Sequence, residues 1–108
     1  MSSRRQNDSV FKALADEKRR EILDALRDAP QTTGSLCEIF AGRLDRCTVM
    51  QHLGVLERAE LVIVRREGRV RWNHLNVVPI KSIYDRWISQ YAEPSVALLQ
   101  RLKSDLEG

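Results

Sequence analysis

The chain has 108 residues, 43% of them hydrophobic and 31% charged, with 18 Lys and Arg against 15 Asp and Glu. That length supports one core. No run approaches the roughly 18 apolar residues of a membrane span, and the polar start, Met1 to Asp8, has no apolar run behind it, so no secretory signal is expected. Two cysteines, Cys37 and Cys47, are too few for a disulfide framework or an all-cysteine zinc site. The expectation is a cytoplasmic protein with a flexible tail over residues 1–8 and a single folded domain over 9–108.

The apolar periodicity starts at about Ser9 with Val10, Phe11 and Leu14. Asp16 reads as the N-cap of a second helix reaching Arg27, with Ile22, Leu23 and Leu26 on one face. Gln31 to Ser35 is a turn with two candidate caps, Thr32 and Ser35, and Ser35 with Glu38 fits a capping box. A short helix follows, with Leu36, Ile39 and Phe40 inward, ending at Gly42. Asp45 caps the next helix, which runs to about Arg58 with Val49, Leu53 and Leu56 at i, i+4 and i+7. Val62 to Arg66 and Val70 to Leu75 read as two strands around a turn at Glu67-Gly68. Pro79 opens a helix in which Ile80, Ile83, Tyr84, Trp87, Ile88 and Tyr91 keep the helical period without a break. Pro94 opens the last, with Val96, Leu99, Leu102 and Leu106 on one stripe. The fold class is mainly α with a small β-hairpin, in the order α-α-α-α-β-β-α-α, which is the order of a winged helix-turn-helix.

Charge is unevenly placed. From Arg43 to Trp72 the chain carries seven arginines against four acids, the whole of its net +3. Arginine dominates, 14 against 4 lysines, and its planar fork matches phosphate and guanine edges in a way lysine does not. With Val49, Leu53 and Leu56 turned to the core, Cys47, Gln51 and Arg58 point away from it. Thr48 and Met50 flank that outer face, and Arg46 occupies the first turn. Apolar anchors on one side and short polar or Arg groups near the N-terminus are what a DNA-reading helix requires. Gln can pair with adenine, Arg with guanine, and Thr or Met can touch the thymine methyl. In the hairpin Arg65, Arg66, Arg69 and Arg71 crowd around one acid, Glu67. Such charges repel unless a polyanion neutralises them. Part of this set reads as scaffold, with one arginine paired to Glu67 and others on the face away from DNA.

These residues resemble the arsenic-repressor (ArsR) family of winged-helix transcription regulators. The resemblance is carried by Phe11-Lys12-Ala13-Leu14-Ala15-Asp16 with Arg19-Arg20-Glu21-Ile22-Leu23. It continues through Val49, His52-Leu53 and Val55-Leu56-Glu57, then Gly68-Arg69 and Leu75-Asn76. The tail Tyr84-Asp85-Arg86-Trp87-Ile88, Tyr91-Ala92-Glu93-Pro94 and Leu102-Lys103 is similar to a subgroup without metal-sensor motifs. The resemblance implies a homodimeric repressor on a two-fold symmetric double-stranded DNA operator, its outer helices forming the dimer interface. The expected interface residues are Val10, Phe11, Ile83, Trp87, Tyr91, Leu99, Leu102 and Leu106. The expected DNA contacts are Arg46, Cys47, Thr48, Met50, Gln51 and His52 with Arg65, Arg66, Arg69 and Arg71, His52 having a structural or backbone-contact role. The chain departs from the family pattern by about two extra residues before Val49, and by Cys47 and Met50.

Other classes leave weaker traces. Sensor members carry paired cysteines or Asp/His clusters. Here the first region offers Cys37, and the late helices offer Asp85, Glu93 and Asp105 without histidine, so no metal and no cofactor are expected. A mononuclear site from Cys37, Cys47 and His52, or a Cys37–Cys47 disulfide switch relieving repression, is the alternative within the class. His74 falls on the second strand. A protein-interaction module docking an acidic partner on the arginines is the alternative outside it. An enzyme is not expected: no nucleophile–base pair, Gly-rich phosphate loop or carboxylate pair stands in a recognisable setting.

Overall fold

The computed structural model describes residues 3–91 and 94–107. Helix α1 covers Ser3–Leu14, α2 Glu17–Leu26, α3 Thr33–Ile39 and α4 Arg46–Arg58, with a two-residue strand β1, Gln31–Thr32, ahead of α3. Strands β2 (Val62–Glu67) and β3 (Val70–Leu75) follow, then α5 (Val78–Arg86), a 3₁₀ turn over Ile88–Tyr91, and α6 (Pro94–Glu107). The sheet order is β1-β3-β2, antiparallel throughout. The expected class and order hold, and β1 is an addition that sequence patterning did not mark.

The helix boundaries follow from caps. Asp16 accepts from the backbone N–H of Lys18 at 2.8 Å and of Arg19 at 3.3 Å, and Asp45 accepts from Thr48 N–H at 2.7 Å. At α3 the cap is Thr32, whose hydroxyl accepts from Ser35 N–H at 3.0 Å. Ser35 therefore sits inside the helix, with its own hydroxyl donating to Gln31 Oε1 at 2.8 Å, and the Ser35–Glu38 capping box does not form. Helix α1 begins at Ser3 instead of about Ser9, and Gln6 Nε2 donates to Ala59 O at 3.0 Å, so residues 3–8 of the expected tail are helical. Met1 and Ser2 of that tail, like Ala92 and Glu93, lie outside the described residues.

One core joins α1, α2, α3, α4, the start of β2 and α5. It holds Val10, Ala13, Ile22, Leu23, Leu26, Leu36, Phe40, Val49, Leu53, Leu56, Ala59, Leu61, Val62 and Ile83. Ile39, expected inward, is 50% exposed: α3 ends at that residue and turns it out, while Phe40 just beyond goes in. The late apolar run does not continue as one α-helix. It leaves α geometry at Trp87 and goes on as the 3₁₀ turn. Arg43 Nη2 meets Glu21 Oε2 at 2.6 Å and its guanidinium lies 5.7 Å from the Phe40 ring centre, pinning the α3–α4 connection to α2.

The hairpin turn lies at Gly68-Arg69, one residue later than the sequence suggests, because Glu67 still pairs with Val70. Gly68 has φ +62°, the left-handed geometry a two-residue hairpin turn needs and glycine supplies without strain. At the end of α4 the same backbone region is occupied by Glu60, φ +63°. Leu61 N–H donates to Leu56 O and Glu60 N–H to Glu57 O, both at 2.9 Å. That pair is a Schellman cap with a non-glycine residue in its left-handed position. Replacing Glu60 with Gly should therefore stabilise the protein by about 0.5–1 kcal/mol, because the side-chain penalty exceeds the added chain entropy. Thermal unfolding checks this: a Tm raised by a few degrees is expected, and an unchanged or lowered Tm contradicts the reading.

Candidate nucleic-acid interface

Helix α4 is oriented by Val49, Leu53 and Leu56, each 0% exposed. With that face buried, two rows are left outside. Arg46 and Met50, four apart, line a cleft of about 340 Å³, together with Thr32, Thr33 and Gly34 at the start of α3 and Arg69, Val70 and Arg71 of the hairpin. Cys47 and Gln51, one row over, are exposed, as is Arg58. Thr48 and Met50 are half-buried. The expected reading helix and the arginine hairpin therefore share one side of the molecule. Thr32, Thr33 and Gly34 were not among the expected site residues; the sequence marks all three as turn and Thr32 as a cap, but nothing in their chemistry marks them as cleft-lining.

The wing is held in place by two ties. Asn73, 0% exposed, donates through Nδ2 to Gln31 O at 3.2 Å and to Thr33 Oγ1 at 3.1 Å, fastening β3 to β1 and α3. Arg71 Nη2 meets Glu57 Oε2 at 2.7 Å, fastening β3 to α4. Glu57 is a partner that the sequence reading missed, since an acid in the last turn of an exposed helix looks like solvated surface.

The four wing arginines divide by register. Arg66 pairs across from Arg71, and Val64 from Asn73, so Val64, Arg66, Arg71 and Asn73 share the sheet face turned to the core and α4, while Arg69 sits in the turn. Arg65 pairs across from Trp72 on the opposite face, 3.8 Å from Glu67. Arg71 is committed to Glu57, with a side chain only 21% exposed. Arg46, Arg66 and Arg69 have no ion pair among the described residues and are exposed. Among the described residues of the cleft and wing, these three are the cations left open to a polyanion. His52 is half-buried, its Nδ1 3.5 Å from Arg19 Nη1, turned toward α2.

Cys37 is half-buried and Cys47 exposed, both as free thiols. Among the described residues no three His, Cys, Asp or Glu side chains gather where they could hold a metal, so Cys37, Cys47 and His52 do not form the alternative site. Likewise among the described residues, no helix is long and apolar enough to cross a membrane.

Of the expected interface residues, Phe11, Trp87, Tyr91, Leu99, Leu102 and Leu106 are 43–80% exposed. Val10 and Ile83, 0% and 4% exposed, are spent on the chain's own core and have no surface to give a partner. They share helical stripes with exposed neighbours, and helical period alone does not separate the two faces.

A short helix, a turn and a helix with exposed polar rows, flanked by a basic hairpin, define a winged helix-turn-helix DNA-binding protein. A family model described as a helix-turn-helix domain matches residues 14–65. The chain is 33% identical over 73 residues to the transcriptional repressor SdpR of Bacillus subtilis (strain 168), covering 68% of this chain and 79% of that protein. It is 36% identical over 88 residues to YuzN of the same organism, an uncharacterized HTH-type transcriptional regulator, covering 75% and 94%. Among solved structures, an ArsR-like transcriptional regulator from Rhodococcus sp. RHA1 superposes with a TM-score of 0.71 at 26% identity, covering 93% of this chain and 95% of that one. The chain belongs to the ArsR-type winged helix-turn-helix transcription regulators.

The first turn of α4 depends on a charged cap. The N–H and hydroxyl of Thr48 hold the Asp45 carboxyl below the usual carboxylate range, against a small desolvation, with help from Cys47 N–H. A folded pKa below the unfolded one means the cap contributes above the unfolded value, about 4, and fades as pH falls through the folded one. Amide protection in the first turn of α4 should drop in that acid window, and Asp45→Asn, a neutral cap of similar strength, should flatten the drop. Hydrogen exchange followed by NMR reads this. The same pH response in both proteins would mean that the cap is not responsible.

Proposed function

We propose that the protein is a homodimeric transcriptional repressor, acting in the cytoplasm on a two-fold symmetric operator of its own or an adjacent operon. The carrying observation is the cleft in which Arg46 and Met50 of α4 face Arg69 of the wing. A duplex there meets exposed cations on both walls. Gln51 and Cys47 stand on the adjacent exposed row, where base edges are read in the major groove. Arg66 and Arg69 take phosphate or the minor-groove margin, Arg71 with Glu57 sets the wing angle, and Arg65 lies on the far face of the sheet. Repression is supported by likeness to a protein named a repressor.

Dimerisation is supported by apolar surface that the chain's own core leaves exposed. Phe11 and Trp87 meet edge-on with ring centres 6.0 Å apart, and Trp87 and Tyr91 at 5.9 Å. Leu98, Leu99, Leu102 and Leu106 of α6 are 52–80% exposed. A second copy covering both patches would bury them and set two reading helices one DNA turn, about 34 Å, apart.

Gel-shift titration with the DNA flanking the gene tests the reading. Removing Arg66 or Arg69 should weaken binding to every duplex and lower the salt slope by about one per residue. Gln51→Ala should instead cost about 1–3 kcal/mol on the operator only. Absence of salt-sensitive binding to any duplex would refute the proposal. For the dimer, Leu102→Glu should give a folded monomer in sedimentation with operator affinity sharply reduced; an unchanged dimer would place the interface elsewhere.

A further inference from the structure

Arg19 does more than end a helix. It stands in the first turn of α2 with a side chain only 17% exposed. Its Nε donates to Ala13 O at 2.8 Å and its Nη2 to Lys12 O at 3.0 Å, closing the C-terminal end of α1. The remaining nitrogen, Nη1, lies between Asp16 Oδ2 at 3.8 Å and Nδ1 of His52 on α4 at 3.5 Å. One guanidinium thus joins the helix that carries Phe11 of the aromatic patch to the helix that lines the cleft.

We infer that Arg19 and His52 are positioning residues, a clamp that sets the reading helix against α1 and holds only while the imidazole is neutral. Guanidinium has no acceptor to offer, so Nδ1 must be the acceptor and the ring proton must sit on Nε2. A second proton would place N–H against N–H and two like charges side by side, and the clamp would open. The charged groups set against the ring are Arg19 from α2 and Asp16 from the α1–α2 junction; α1 gives Arg19 its carbonyls at Lys12 and Ala13, and Lys12 itself lines a recess with Val55 and Arg58 of α4, adding positive charge on that side. On α4 itself the neighbours one turn away, Thr48, Val49, Val55 and Leu56, carry no charge. The Asp16 carboxylate already accepts the N–H groups of Lys18 and Arg19 and pairs with the guanidinium, so it is a shared countercharge for the ring.

The inference rests on the DNA-binding reading, and the sign of the pH effect separates it from a simple phosphate contact. Imidazoles change charge between pH 5 and 8. A histidine touching phosphate tightens binding on acidification; a clamp loosens it. Wild type, His52→Gln and Arg19→Lys are compared for duplex affinity at about pH 6 and pH 7.5 and constant ionic strength, with Tm recorded. We expect wild type to lose at least about fivefold in affinity at the lower pH relative to His52→Gln, which keeps a neutral acceptor. Tighter wild-type binding at low pH, or parallel profiles for the two, would overturn the clamp. Imidazole nitrogen NMR of the DNA-free protein supplies a readout independent of any duplex. The proton should be on Nε2 in the wild type and redistribute in Arg19→Lys, and an unchanged tautomer would also overturn it. If no duplex binds while the tautomer behaves as expected, the DNA-binding reading fails and the Arg19–His52 contact stands.

Discussion

Val49, Leu53 and Leu56 take the inner face of α4 wholly out of water, and that burial fixes the rotation of the helix about its axis. Each such side chain contributes on the order of 1.5–3 kcal/mol by leaving solvent, and the three together outweigh the single 2.7 Å ion pair that Glu57 makes from the outer face. The outer rows are consequently free to be chosen for chemistry: Arg46 and Met50 toward the wing, Cys47 and Gln51 toward solvent. Rotating the helix by one residue would put Met50 and Gly54 into the core and turn the cleft row away from the hairpin.

The wing adds charge to that geometry, and its charge is not uniform in purpose. The 2.7 Å pair between Arg71 and Glu57 is partly screened from solvent and ties sheet to helix. The pair between Arg65 and Glu67, at 3.8 Å on exposed side chains, contributes little to stability. What remains for a polyanion is Arg46, Arg66 and Arg69. Like charges held close together cost the folded chain something in isolation, and counterion release on binding a duplex returns it. The buried amide of Asn73 matters here because it fixes the root of β3, and with it the reach of the Gly68-Arg69 tip.

Much of this was legible before any coordinates. The caps Asp16 and Asp45, the i, i+4, i+7 face of α4 and the hairpin all follow from local rules, and local rules decide them. What was not legible depends on distant partners. Thr32 wins over Ser35 as cap because β1 pairs with β3 at that residue, and a two-residue strand has no sequence period. The late helix leaves α geometry at Trp87, yet apolar spacing of three to four residues is common to α and 3₁₀ segments, so the pattern could not tell them apart. Val10 and Ile83 share their helical periods with surface neighbours, and period shows a face without showing what covers it. Arg71 could be sorted from Arg66 and Arg69 only once Glu57 was known to face it.

The central claim is that the N-terminal half of α4 and the tip of the wing grip one duplex together. Following the backbone amides of the isotope-labelled protein by NMR during titration with its flanking DNA tests it most directly. The account predicts that the largest shifts cluster at Arg46 to Gln51 and at Gly68 to Arg69, with the outer sheet residue Ile63 unmoved. Shifts confined to α6, or to Ile63 and Trp72 on the far face of the sheet, would contradict it.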